Sequence, residues 1–185
     1  MKVVIVGGVA GGATAAARIR RLDEEAEIVV FERTGYISYA NCGLPYYIGG
    51  TIEDAEELTL QTPESFWKRF RVQMKVHHEV TAIHPERKTV SVKNLENAEE
   101  FEASYDKLLL SPGAKPVLPK ISGIGNEKLF TLRTVEDTFK IKKYIEEKKP
   151  KSVILAGGGF ISLELAENLR ESGMDVTIVQ HPKQL

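Results

Sequence analysis

The chain of 185 residues has one cysteine, Cys42, so no internal disulfide framework is possible. Long hydrophobic runs are missing too. The longest hold four residues, as in Val3–Val6 and Ile28–Phe31, whereas a spanning helix needs about 20. No membrane span is expected, and without an extended apolar stretch at the amino terminus no signal peptide is expected. Neither sign of charge dominates: 25 Lys plus Arg face 26 Asp plus Glu, a net charge of -1. That weighs against a nucleic-acid binder or a polybasic membrane docker. His77, His78, His84 and His181 show no metal-ligand spacing beside the sole cysteine, so no metal site is expected. A cytoplasmic, reducing setting is the default. With 42% apolar and 28% charged residues, the chain can bury a core.

What is present is an approximate repeat. Lys2–Glu32 and Lys151–Gln180 each read as strand, glycine cluster, helix, strand, a βαβ unit written twice. The strands are continuously rather than alternately apolar, which suits a parallel sheet covered on both faces. Between the repeats, Val72–Ile83, Lys88–Lys93 and Glu100–Ala103 read as an antiparallel meander with turns at Pro85–Arg87 and Asn94–Ala98. Lys107–Leu110 reads as a return to a buried strand, and Thr134–Glu147 as a helix. Pro112, Gly113, Pro116 and Pro119 mark a boundary, giving domains 1–117 and 118–185. A doubly wound domain needs more strands than the second unit supplies, so the chain is expected to be truncated.

The first glycine loop has a phosphate-binding pattern. A phosphate on a helix amino terminus needs glycines for the tight turn and for close backbone approach. In Gly7, Gly8, Val9, Ala10, Gly11 and Gly12, the first and third fingerprint glycines are Gly7 and Gly12, and Val9 replaces the second. Glu32 follows Gly12 by 20 residues, where a carboxylate can accept both hydroxyls of a ribose. The alternative is a tight βα turn without a ligand. Thr14, Arg18 and Arg21 fall on one face of the helix that follows. Two arginines there suit phosphates, and an ordinary solvated face is the alternative. In the second loop Gly157 and Gly159 fit the fingerprint, Phe160 follows, and Ser162 stands at the third position. Gln180 closes the next strand, with His181 and Lys183 beyond it, which leaves NADH versus NADPH open.

Cys42 lies in Ser38-Tyr39-Ala40-Asn41-Cys42-Gly43-Leu44-Pro45-Tyr46-Tyr47-Ile48. Pro45 is tolerated in a first helical turn. A helix starting near Gly43 would set its positive end against the sulfur and favour thiolate. The alternative is a small buried hydrophobe. This segment, with Gly7–Thr14, resembles the single-cysteine branch of the pyridine nucleotide-disulfide oxidoreductases. The similarity points to the coenzyme A-disulfide reductases and coenzyme A-dependent persulfide or polysulfide reductases, over the amino-terminal part of these longer proteins.

The resemblance implies an α/β fold: a Rossmann-like FAD-binding domain with an antiparallel meander, then the start of a second Rossmann-like domain for NADH or NADPH. It implies that electrons pass from NAD(P)H through flavin to Cys42, and on to coenzyme A disulfide or a persulfide. It assigns Arg33, the backbone of Val80, Ser111, Pro112, Gly113 and Arg133 to the flavin, and Glu164 to the nicotinamide end. It assigns Thr14, Arg21, Ser38 and Asn41 to coenzyme A, with Arg18 where some relatives carry an amide. A cytoplasmic homodimer is implied for the full-length enzyme. The oxidase and peroxidase branches carry a histidine where this chain has Ala10, which favours disulfide or persulfide reduction. An NADH oxidase of the same family, or a nucleotide-binding fragment without turnover, are the alternatives.

Overall fold

The computed structural model describes residues 1–181 and 183. In chain order the first elements are β1 (Lys2–Val6), α1 (Ala10–Leu22), β2 (Glu27–Phe31) and β3 (Ile37–Tyr39). A 3₁₀ turn at Asn41–Gly43 leads into α2 (Leu44–Gly49), followed by β4 (Thr59–Gln61), α3 (Pro63–Phe70) and β5 (Gln73–Lys75). Next come β6 (His78–His84), β7 (Thr89–Asn94), β8 (Glu100–Ser104) and β9 (Lys107–Leu110). The last are α4 (Val135–Lys148), β10 (Ser152–Ala156), α5 (Phe160–Glu171) and β11 (Asp175–Val179). The chain divides into two compact units, 1–39 with 59–114, and 40–58 with 115–185. No helix among the described residues is long and apolar enough to cross a membrane.

The first unit is built on a parallel sheet of order β5-β2-β1-β9. Alternation along its strands divides two cores. Val3, Ile5, Ile28 and Val30 pack with Ala13, Ala16 and Ala17 of α1 and Phe66 of α3. Val4, Val29 and Phe31 pack on the other face against Val90 and Val92 of the meander. The small side chains of α1 let the helix lie close to the sheet. A parallel strand buried on both faces needs apolar residues throughout, which is why β1 reads as an unbroken run.

Two expectations for the first unit are corrected. Val72–Ile83 is not one strand. Gln73–Lys75 pairs in parallel with β2, and the meander begins only at His78. His77, at φ 56, turns the chain between them. The three-stranded antiparallel meander itself, β6-β7-β8, is present. Lys107–Leu110 is only half-buried, at Leu108 and Leu109, and exposed at its ends. It is the edge strand beside β1, with Leu110 55% exposed.

In the second unit β10 and β11 pair in parallel, and α5 covers one face. The expected coverage of both faces is therefore not found there: every second residue, such as Ile154 and Val179, is exposed. Helix α2 packs into the same core, where Ile48 meets Leu165 and Leu169. α4 begins at a capping box in which Thr134 and Asp137 satisfy each other's backbone N–H groups.

Candidate functional site

The first glycine loop is held shut by its own backbone. Gly7 adopts φ +95, and a Cβ there would stand 2.0 Å from the Ser111 carbonyl oxygen. At Gly12 a Cβ would stand 1.7 Å from the Gly7 oxygen. These two glycines are demanded by the fold, whatever binds. Gly11 is exposed, and a Cβ there would meet Ser111 Oγ at 2.4 Å. Ser111 thus sits against the start of α1, anchored by its N–H to the Val6 oxygen at 2.8 Å.

The loop leaves the amino end of α1 open. Val9 is the N-cap and makes no side-chain cap bond, and the first helical bond recorded runs from Ala13 N–H to the Val9 oxygen. The N–H groups of a first turn have no intrahelical partners and carry the positive end of the helix dipole. By contrast, α3 and α4 both start with capping boxes. The two helices that follow glycine loops lack side-chain caps, since Gly159 before α5 also makes none.

Glu32 is buried at 7% exposure, and its carboxylate is occupied. Oε2 accepts the Gly8 N–H at 2.7 Å. Oε1 accepts Thr34 N–H and Thr34 Oγ1, each at 2.8 Å. A carboxylate offers about four lone-pair directions, so one remains for a ligand donor. Ser38, at φ 46, donates its N–H to the Gly8 oxygen at 3.0 Å. Glu32, Ser38 and Ser111 therefore converge on the first loop.

Of the other expected flavin residues, Pro112 lies beside that loop, its Cα 3.5 Å from where a Cβ on Gly7 would stand. Arg33 pairs with Glu79 at 3.7 Å. Val80 lies in β6 beside a register shift and packs in the meander core. Pro112 and Gly113 are exposed after β9, with Gly113 at φ 68. Arg133 belongs to the second unit, where its N–H reaches Asp137 at 3.1 Å.

Thr14, Arg18 and Arg21 are all exposed on α1. Arg20, off that face, is a residue that sequence reasoning missed. Its guanidinium donates to the carbonyls of Phe70, Asp23, Glu24, Ala26 and Arg71 at 2.5–3.1 Å. It ties the end of α1 to the approach to β2 and the end of α3. Only its departure from the face of the other two arginines marks it in the sequence.

In the second unit, Cys42 is an exposed free thiol in the 3₁₀ turn just before α2. Helix α2 starts at Leu44, beside the expected Gly43, with Pro45 in its first turn. Gly43 N–H closes the turn on the Ala40 oxygen at 2.9 Å. Asn41 Oδ1 is buried and unpartnered among the described residues. Ser38 belongs to the first unit.

The second glycine loop differs physically from the first. Gly157 needs glycine for its φ of +103, and its N–H meets the Val179 oxygen at 2.7 Å. Gly159 has φ -77, and a Cβ there would meet nothing within 4 Å. Neither strain nor packing among the described residues requires glycine at 159. Phe160 is 87% exposed, and Glu164 lies one turn into α5. Asn168, buried at 3%, is the other residue that the sequence did not single out.

The chain belongs to the pyridine nucleotide-disulphide oxidoreductase family, whose profile matches residues 1–185. A coenzyme A disulfide reductase of Staphylococcus aureus is 47% identical over 178 residues, 96% of this chain and 40% of that protein. The crystal structure of reduced Bacillus anthracis CoADR-RHD superposes with a TM-score of 0.95 at 56% identity, over 97% of this chain and 32% of that one. An NAD-dependent persulfide reductase from A. fulgidus gives a TM-score of 0.91 at 38% identity, over 96% and 34% of the two chains. The chain thus spans well under half the length of the relatives it matches.

Proposed function

We propose that this chain is the amino-terminal part of a flavoprotein that reduces coenzyme A disulfide or a related persulfide with NAD(P)H. The observation that carries the reading is Cys42, the sole cysteine of these residues, exposed at the turn before α2. With no second thiol in the chain, an internal dithiol cycle within it is excluded, and a mixed disulfide with substrate takes its place.

The first loop fits FAD. Its open helix start suits a pyrophosphate, and Glu32 retains room for a ribose hydroxyl. Arg33, Val80, Ser111, Pro112, Gly113 and Arg133 are further flavin residues on the family pattern. The second loop fits the nicotinamide nucleotide, because Gly159 leaves open the space that a Cβ would fill. Phe160 and Glu164 follow it on α5. Bound FAD would supply the two electrons, drawn from NAD(P)H, that return sulfur to thiolate.

The chain's own chemistry is thiol exchange. Cys42 thiolate attacks one sulfur of the coenzyme A disulfide. The S–S bond breaks, one coenzyme A leaves as thiolate, and Cys42 is left in a mixed disulfide. Two electrons then release the second coenzyme A thiolate. Thr14, Arg18 and Arg21 present a polar and basic face for its phosphates, and Ser38 and Asn41 supply hydrogen-bonding groups. Ala10, exposed at the start of α1, brings no acid–base side chain, which disfavours an oxidase. A homodimer and a cytoplasmic setting belong to the same proposal. In the full-length enzyme, Cys42→Ser should abolish coenzyme A disulfide reduction while flavin reduction by NAD(P)H survives. Retention of disulfide reduction by that variant would overturn the assignment.

A further inference from the structure

We propose that Asn168 is a positioning residue for the Cys42 segment, seating helix α2 on helix α5. The inference rests on Cys42 as the redox thiol and on the second glycine loop as the nucleotide site.

Helix α2 has six residues, too few to hold a fixed place by itself. Its position is set by what it touches. A Cβ on Gly49, its last residue, would stand 2.6 Å from Asn168 Cβ and 3.0 Å from Asn168 O and Oδ1. The end of α2 therefore rests directly on Asn168, and only glycine allows the approach. The amide adds direction. Asn168 Nδ2 donates to the Glu164 oxygen at 2.8 Å, and Oδ1 accepts from Thr51 Oγ1 at 3.4 Å. From α4, Lys142 Nζ donates to the Ile48 oxygen at 3.3 Å and lies 5.6 Å from the Tyr47 ring centroid.

A buried amide is costly unless bonded. An apolar side chain at 168 would fill the seam without fixing it along either helix. Here one amide bridges α5 to the residue two beyond the end of α2. The turn carrying Cys42 runs directly into the other end of α2. Glu164, whose carbonyl holds the amide, lies one turn closer to Gly159. One helix thus presents the proposed nucleotide loop at its start and the seat of the thiol segment two turns later.

The test uses the full-length, flavin-loaded protein with Asn168→Ala and the near-isosteric Asn168→Asp. Asp keeps an acceptor for Thr51 and loses the donor to Glu164. Hydrogen exchange of residues 44–52 and alkylation of Cys42 by iodoacetamide are measured beside NAD(P)H binding. In Asn168→Ala the exchange rate should rise by about fivefold, as expected for losing a buried hydrogen bond in a local opening, while alkylation of the already exposed Cys42 should stay within about twofold. Asn168→Asp, which sets a buried carboxylate oxygen against the Glu164 carbonyl, should raise exchange at least as much, and NAD(P)H affinity should stay within about twofold. Unchanged exchange would overturn the proposal. So would exchange rising equally in α4 and α5, which marks general loosening. If Asn168→Ala does not fold, Asn168→Asp and Thr51→Val are judged by the same criteria. The functional reading fails separately, through Cys42→Ser, since neither exchange nor alkylation requires turnover.

Discussion

Replacing Glu32 by alanine tests the first loop both as structure and as ligand site. The substitution removes an acceptor shared by three donors: Gly8 N–H, Thr34 N–H and Thr34 Oγ1. The two Thr34 donors are only partly buried and can turn to water. Gly8 N–H is buried and cannot. A hydrogen bond to a charged group contributes about 1.5–3 kcal/mol, and a buried donor left unpaired costs a similar amount. Glu32→Ala should therefore destabilise the chain by roughly 2–3 kcal/mol. For a protein of this size that lowers the melting temperature by roughly 4–12 °C. Thermal melts of the flavin-free protein measure this part. FAD titration of the folded variant measures the other. Losing one ribose hydrogen bond to a carboxylate should weaken FAD by about 10-fold or more. A melt equal to wild type would refute the structural role of Glu32 under Gly8. An unchanged FAD affinity would refute its ribose role, whatever the melt shows.

The two glycine loops should respond oppositely to alanine. Gly12→Ala drives a methyl against the Gly7 carbonyl and should cost on the order of 3 kcal/mol or prevent folding, as read by denaturant melts. Gly159→Ala meets open space and should stay within about 0.5 kcal/mol of wild type. In the full-length protein it should nonetheless weaken NAD(P)H, measured by titration; equal affinity would remove the nucleotide from that loop. Glu64, in the first turn of α3, is held below the ordinary glutamate range. Its own backbone N–H lowers it most, then the Thr62 hydroxyl, then Lys68. Because its folded value is the depressed one, its contribution is present above the ordinary range and lost as pH falls through that lower value. In an NMR titration Glu64 should protonate below the range of a glutamate in an unstructured peptide, and titration within that range would refute the assignment.

Most of the architecture was legible because it is written in local signals. Val3–Val6 before Gly7, and Val153–Ala156 before Gly157, carry the βαβ units on strand composition and glycine placement alone. The misplaced start of the meander shows the limit of such signals. Val72–Ile83 is uniformly strand-like, and the break depends on a left-handed His77 and on β2 offering an edge to Gln73–Lys75. Neither is visible in a window of neighbours. The exposure of Leu110 was hidden likewise, since an apolar edge strand reads like a central one. At the site, Glu32 and Cys42 stand within motifs and could be found. Asn168 and Arg20 could not, because their roles lie in bonds to distant backbone: Thr51 and Asn168 are 117 residues apart, and Arg20 and Phe70 are 50 apart.

The division of the chain between two units also sets a clock. The stretch 40–58 belongs with residues from 115 onward, so it has no seat while residues 59–114 are being made. At about 5–20 residues per second, the 117 positions from Thr51 to Asn168 take on the order of 10 s to synthesise. Through that interval β1, β2 and the meander can close around their own cores, with the thiol segment looped out from between β3 and β4. A newborn chain therefore displays Cys42 on an untethered loop before α5 exists to receive it.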